Sequence, residues 1–366
     1  MSNAPDENLL ARLAGVGGPG ESSDLWKTVA ASEPDHNAQE DKADEKLDAM
    51  LDNIRKLSGD ETPGETPAGE PATNEQDGCI ENTFVPIEPE SFRQAQLTES
   101  EVEALILKFL LARGDATGRD IADQISLPFV LVDESLRRMK NEQLVVHKGS
   151  APMNDYQYQP TDLGGERGRR YAQHCTYFGS APVALSEYIA SVEQQSLNNQ
   201  QPSVEHLRRA FDDLLLNRRI LDRLGPAINS GRGMFLYGAP GNGKTSIAER
   251  VTKTFGQHIW IPRTVGVDGE VIRLFDPSNH EELPLEATTG LIDQRKVDKR
   301  WVRIRRPTII AGGELTMSAL EVTINTSTGV SEAPLQMKSN CGTLVIDDFG
   351  RQRMSIDELL NRWILP

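Results

Sequence analysis

Residues 238–246 read Gly-Ala-Pro-Gly-Asn-Gly-Lys-Thr-Ser, directly after the short apolar run Met234-Phe235-Leu236-Tyr237. Behind them, Ile247, Ala248, Val251 and Phe255 recur at helical spacing. The order is strand, glycine-rich loop closed by Lys-Thr, helix, and it suits the cradling of phosphates. Glycines let the backbone curl until its N–H groups point at phosphate oxygens, and the N-terminus of the following helix adds positive potential. Gly238, Ala239, Pro240, Gly241, Asn242, Gly243, Lys244, Thr245 and Ser246 are therefore the predicted nucleotide-binding residues. Lys244 is expected to reach the β- and γ-phosphates of ATP, and the Thr245 hydroxyl to ligate Mg2+. The competing interpretation is a glycine-rich surface turn, and the flanking strand and helix argue against it.

About a hundred residues on, Thr343-Leu344-Val345-Ile346 is an apolar strand that ends in Asp347-Asp348. Ligands of parallel sheets sit at the carboxyl edges of the strands, so these carboxylates should lie beside the phosphates. Asp347 is the candidate metal-holding acid, acting through water. Asp348 is placed to polarise an attacking water, which makes Lys244 and Asp348 the candidate catalytic pair.

The glycine loop GAPGNGKT and the strand TLVIDDFG are similar to the two nucleotide motifs, Walker A and Walker B, of the AAA+ ATPase family. The resemblance spans residues 203–366. Within it, GGELT at 312–316, EAPLQMK at 332–338 and LLNRWILP at 359–366 resemble a bacterial group of such ATPases, some of which carry an N-terminal winged helix. It implies an α/β P-loop core, ATP and Mg2+ as cofactors, and a ring oligomer in which a neighbour supplies an arginine. The family pattern places Glu where this chain has Asp348, a side chain one methylene shorter. The family also continues past its second motif with a sensor strand, an arginine finger and a helical lid. The sensor strand lies between the loop strand and the Asp347 strand, so without it the sheet is expected to be open in the middle. The sequence ends at Pro366, eighteen residues after Asp348, and a C-terminally truncated piece of a longer protein is the expectation.

The elements that must position this chemistry follow from composition. Net charge is −16, and residues 1–90 hold 21 acidic and 6 basic residues, so almost all of the imbalance lies there. An acidic balance argues against a protein that coats nucleic acid nonspecifically. Residues 1–95 are poor in aromatics and rich in Asp, Glu, Pro and Gly, and are expected to be a disordered acidic region. Gly59–Pro71 is linker-like, and Leu47, Met50, Leu51, Ile54 and Leu57 fall at helical spacing as a short amphipathic turn or partner-binding helix.

Residues 96–178 are expected to form a winged-helix-like domain. Thr98 with Glu101, and Thr117 with Asp120, are capping pairs that open helices. Pro128 stands near the start of a third helix, and Leu144–Val146 and Tyr156–Tyr158 read as the two strands of a wing. Arg137, Arg138 and Lys140 of the third helix are balanced by Asp133, Glu134 and Glu142. Protein contact is therefore favoured over DNA, which remains the alternative partner for 96–178. Residues 179–202 read as a polar linker. Ser203–Leu224 reads as a helix broken by Gly225-Pro226, and residues 203–366 as the ATP-binding domain without sensor and lid.

Arg295, Lys296, Lys299, Arg300, Arg303, Arg305 and Arg306 cluster in twelve residues. They read either as a nucleic-acid track, as a contact for the acidic tail, or as a solvated hairpin edge. Cys79, Cys175 and Cys341 are too far apart in sequence for a zinc motif, and a reduced, cytoplasmic compartment is expected. The longest apolar run, Ala104–Ala112, is interrupted by Lys108 and is too short to cross a bilayer.

The function expected from these motifs is Mg2+-dependent ATP hydrolysis coupled to remodelling of a protein or nucleoprotein target. A nucleotide-gated binding module that holds ATP without turnover, and an ATP-dependent DNA-binding regulator, are the alternatives. A small-molecule kinase fits the upstream domains and the Asp347-Asp348 pair less well.

Overall fold

The computed structural model describes residues 84–239, 241–284 and 297–364, all of which belong to one unit, Gln76–Pro366. The amphipathic stretch 47–57, the linker at 59–71, Cys79, Pro240, Arg295 and Lys296 lie outside the described residues. The chain is mixed α/β with several separate sheets.

Helix α1 (Glu99–Arg113) opens on a reciprocal cap in which the Thr98 hydroxyl accepts the Glu101 N–H and the Glu101 carboxylate accepts the Thr98 N–H. Strand β1 (Ala116–Thr117) leads into α2 (Gly118–Ile125), which opens with the same device between Thr117 and Asp120. Helix α3 (Phe129–Asn141), the strand pair β2 (Val145–Ala151) and β3 (Asp155–Pro160), and α4 (Asp162–His174) follow. The sheet order is β1-β3-β2, antiparallel throughout. Leu105, Ile106, Leu110, Ile121, Ile125, Leu136 and Tyr158 share one core, and each fully buried aliphatic contributes about 1.5–3 kcal/mol. Helix α4 lies close to the strands because Gly164 has no side chain, and a Cβ there would come within 2.0 Å of the Leu144 carbonyl oxygen.

Two expected boundaries differ from the structure. Residues 84–95 pack onto the rest, with Ala95 fully buried and Ile87 bridged to Val297. Residues 179–202, expected to be a polar linker, contain β4 (Val183–Ala184) and α5 (Leu185–Gln195). The Gln195 side chain makes this segment part of the fold, since its amide donates to the Trp260 carbonyl at 2.8 Å and accepts the Trp260 N–H at 2.7 Å.

Helices α6 (Val204–Ala210) and α7 (Arg218–Asn229) replace the single helix expected over 203–224. Helix α7 also runs through Gly225-Pro226. Leu224 and Ile228, on either side of the proline, are buried together with Leu207, Phe211, Ile247 and Val251, and this packing outweighs the intrinsic cost of proline inside a helix.

After α8 (Lys244–Val251) come β5 (His258–Pro262), β6 (Thr264–Val267), β7 (Glu270–Arg273), β8 (Trp301–Arg305) and β9 (Thr308–Ala311). Strands β10 (Thr323–Asn325) and β11 (Val330–Glu332), helix α9 (Leu335–Lys338), β12 (Thr343–Ile346) and helix α10 (Ile356–Ile364) complete the order. A five-stranded mixed sheet has the order β10-β11-β7-β6-β4, β5 pairs antiparallel with β8, and β9 pairs parallel with β12.

Of the basic stretch, Lys299 and Arg305 keep side chains 63% and 64% exposed, while Arg300 and Arg306 are buried. Arg300 is only 1% exposed. It meets Asp298 at 2.7 Å and donates to the carbonyls of Ala95 and Pro182. Arg306 is buried and donates to Gly256 and Cys341 carbonyls. Lys299 pairs with Asp123 at 2.9 Å and Arg305 with Glu281 at 3.3 Å. These cations join segments far apart in sequence.

Candidate nucleotide site

Strands β9 and β12 run parallel in the register Thr343↔Thr308 to Ile346↔Ala311. Their carboxyl ends therefore coincide, and Gly312-Gly313-Glu314 and Asp347-Asp348 leave the same edge. The Asp347 N–H continues the ladder by donating to the Ala311 carbonyl at 2.9 Å. Helix α8 brings the glycine loop to this edge. The Thr245 hydroxyl donates to Asp347 Oδ2 at 2.8 Å, joining residues 102 positions apart. At its other end α8 is tied by a chain of hydroxyls, with Thr308 donating to Thr252 at 2.7 Å and Thr252 to Thr343 at 2.8 Å. The helix is thus pinned to β12 at both termini.

The loop has the backbone that its glycines permit. Gly241 and Gly243 have φ of +84° and +70°, a region costing other L-residues about 1–2 kcal/mol. A Cβ at either would meet nothing within 4 Å, so glycine is required here by conformation rather than by space. Gly243 immediately precedes α8, whose first N–H groups have no partner within the helix. The Lys244 ammonium folds across the loop and donates to the carbonyls of Gly238 at 3.2 Å and Ala239 at 3.1 Å. Arg250 buttresses the helix through Asp213, with contacts of 2.7 and 2.5 Å, and through the Ser246 carbonyl at 2.8 Å.

Asp348 lies beside Asp347 with a left-handed backbone, φ +50°. Its N–H donates to Asp347 Oδ1 at 2.9 Å, and its carboxylate stands 3.7 Å from the Arg351 guanidinium, both side chains being exposed. Glu314, on the neighbouring strand end, accepts the Gly312 N–H at 2.9 Å, and backbone hydrogen bonds hold its carboxyl below the usual range.

Among the described residues, the structure brings Thr245 and Asp347 into contact and leaves Asp348 next to them. It does not form the strand expected at Met234–Tyr237. That segment has no ladder partner. Leu236 alone packs inward, against the helical core. Phe235 and Tyr237 are 73% and 94% exposed, and Phe235 meets the Phe349 ring edge-on at 6.0 Å. Strand β12 pairs with β9 on one side and with no described strand on the other. Three residues outside both motifs also shape the site: Arg250, Thr252 and Gln352. Arg250 lies one turn after Ser246, the only signal that could have pointed to it. Thr252 carries no sequence signal, because its partners Thr308 and Thr343 are far away in the chain, whereas Gln352 bonds within its own turn and belongs to neither motif.

No cluster of three or more His, Cys, Asp or Glu among the described residues could hold a metal unaided. The Thr245 hydroxyl and Asp347 carboxylate do fit a hard cation that keeps waters and takes most of its remaining ligands from a nucleotide, as Mg2+ does. No helix among the described residues is long and apolar enough to cross a membrane. No protein-family model matches the sequence, and no curated protein matches it significantly.

Proposed function

We propose that the chain binds ATP with Mg2+ at Gly238–Ser246 and Asp347, and hydrolyses it to ADP and phosphate as an AAA+-like ATPase. The observation that carries the proposal is the 2.8 Å contact between the Thr245 hydroxyl and Asp347. It joins the two motifs at the carboxyl edge of a parallel strand pair, where phosphates bind in such sheets.

In this mechanism the loop N–H groups and the start of α8 hold the phosphates. Lys244 exchanges its two carbonyl partners for β- and γ-phosphate oxygens. Thr245 and Asp347 would hold Mg2+, which when bound would neutralise the negative charge that builds on the β-phosphate of the leaving ADP. Asp348 orients the attacking water in line with the bond that breaks. The chain supplies position and electrostatics, and forms no covalent intermediate.

The helix and strand order of residues 98–174 supports a winged helix-turn-helix. On its third helix Arg137 pairs with Asp133 at 2.7 Å, and Arg138 pairs with Glu99 and Glu142. Arg167, after the wing, pairs with Glu103 at 2.7 Å. Guanidinium groups satisfied within the domain favour a protein target over duplex DNA. Remodelling of a protein or nucleoprotein, by a ring of subunits, is the use of ATP that the family resemblance implies.

Titration calorimetry of the whole chain with ATP and Mg2+, followed by phosphate release, tests the proposal. Heat that saturates at one ATP per chain, together with phosphate release, supports it; no heat refutes it. Binding without release selects the second reading, a module gated by bound ATP. That reading is favoured by the exposed Asp348 carboxylate standing 3.7 Å from the Arg351 guanidinium, a neighbour that competes for it.

A further inference from the structure

One side chain holds together the turn that follows β12. The Gln352 amide nitrogen donates to the carbonyls of Asp347 at 2.8 Å and Asp348 at 3.1 Å. Its oxygen accepts the Gly350 N–H at 2.7 Å. Within this turn Asp348 and Gly350 have φ of +50° and +90°. Asp348 is not glycine, and such a conformation persists only where its surroundings hold it.

The carboxylate of Asp347 is divided between two neighbours. One oxygen accepts the Asp348 N–H and so follows the turn; the other accepts the Thr245 hydroxyl and so faces the glycine loop. The direction of the second oxygen therefore depends on the turn that orients the first. Arg351 contributes a backbone N–H to the Asp348 carbonyl at 2.9 Å, but its guanidinium is exposed and 3.7 Å from Asp348. Gln352 is half-buried and is the side chain that spans the turn.

We infer that Gln352 is a positioning residue for the metal-holding acid: by clamping residues 347–350 it aims Asp347 at the Thr245 hydroxyl. The inference rests on the ATP–magnesium reading of the site. Among the described residues Gln352 bonds to the turn and to none of the loop, so loosening the turn should weaken the magnesium-dependent part of nucleotide binding and spare the part made by the loop alone.

The test titrates a fluorescent N-methylanthraniloyl ATP into the full chain, with Mg2+ and with EDTA. The variants are Gln352→Met, which removes all three hydrogen bonds, and Gln352→Glu, which keeps an acceptor for Gly350 and turns a carboxylate toward the two carbonyls. Lys244→Ala serves as the loop control, and melting temperature is recorded throughout. The gain in affinity on adding Mg2+ should shrink about tenfold in both Gln352 variants, with the EDTA affinity held within about twofold. An undiminished magnesium gain in a folded variant overturns the inference, as does an equal loss in Mg2+ and in EDTA. If Lys244→Ala loses binding while the Gln352 variants keep the full gain, the ATP reading stands and only the role of Gln352 falls. If the unmodified chain binds the probe in neither condition, the ATP reading falls first.

Discussion

Asp298→Ala is the most demanding test of how the fold is held. Asp298 and Arg300 are each about 1% exposed. The carboxylate accepts the Arg300 Nε at 2.9 Å and a terminal guanidinium nitrogen at 2.7 Å. Removing it leaves a buried cation facing the carbonyls of Ala95 and Pro182 and Glu187 at 3.6 Å. Breaking a buried pair from one side costs about 3–5 kcal/mol. Glu187 remains as a counterion, although burial already pushes its carboxyl up, which favours the lower end, about 3 kcal/mol. At about 2–4 °C per kcal/mol for a chain of this size, the melting temperature should fall by about 6–12 °C. Urea unfolding followed by tryptophan fluorescence reports on the region directly, because Trp260 and Trp301 are buried together there. Arg300→Met should also destabilise, but the double variant should lose about 2 kcal/mol less than the sum of the singles. Additive singles, or an Asp298→Ala loss below about 1 kcal/mol, would refute the assignment of this pair as a buried tie.

Four further outcomes follow from the same structure. Gly164→Ala drives a methyl group into the Leu144 carbonyl and should cost about 1–3 kcal/mol in urea unfolding, a tight fit that the neighbouring helix cannot relieve without moving. His280 accepts the Asp276 N–H on Nδ1 at 3.1 Å and meets the Lys338 carbonyl through Nε2 at 2.9 Å, and burial holds its pKa below the ordinary value. The folded state then binds fewer protons than the unfolded one, so stability should fall as pH drops below about 6.5, and His280→Gln should flatten the melting temperature against pH between about 7 and 5.5. Lys244→Ala should abolish ATP binding in calorimetry. Asp348→Asn should keep binding and stop phosphate release, and continued release would remove Asp348 from the mechanism.

Local rules made much of the helical region legible. The cap pairs Thr98–Glu101 and Thr117–Asp120 need only neighbours three residues apart, and both form. The contact between Thr245 and Asp347 was legible for another reason: each ends or begins an element whose type the apolar spacing reveals. What depended on distant partners was not legible. Met234–Tyr237 has strand-like composition, but a strand exists only where another pairs with it. Gln195 looks like linker polarity, yet it substitutes for a strand neighbour at Trp260. Arg300 and Arg306 read as surface charge because sequence carries no sign of the carbonyls and carboxylate that receive them.

The hydroxyl chain Thr308–Thr252–Thr343 has a mechanical consequence. When the Thr245 hydroxyl leaves Asp347 for a new partner, the far end of α8 stays fastened to two strands at once. These two bonds oppose sliding of α8 along the sheet and leave its loop end the freer to tilt about Thr252. On the proposed function, a rearrangement among bound phosphates would be felt most at the loop and least at Thr252.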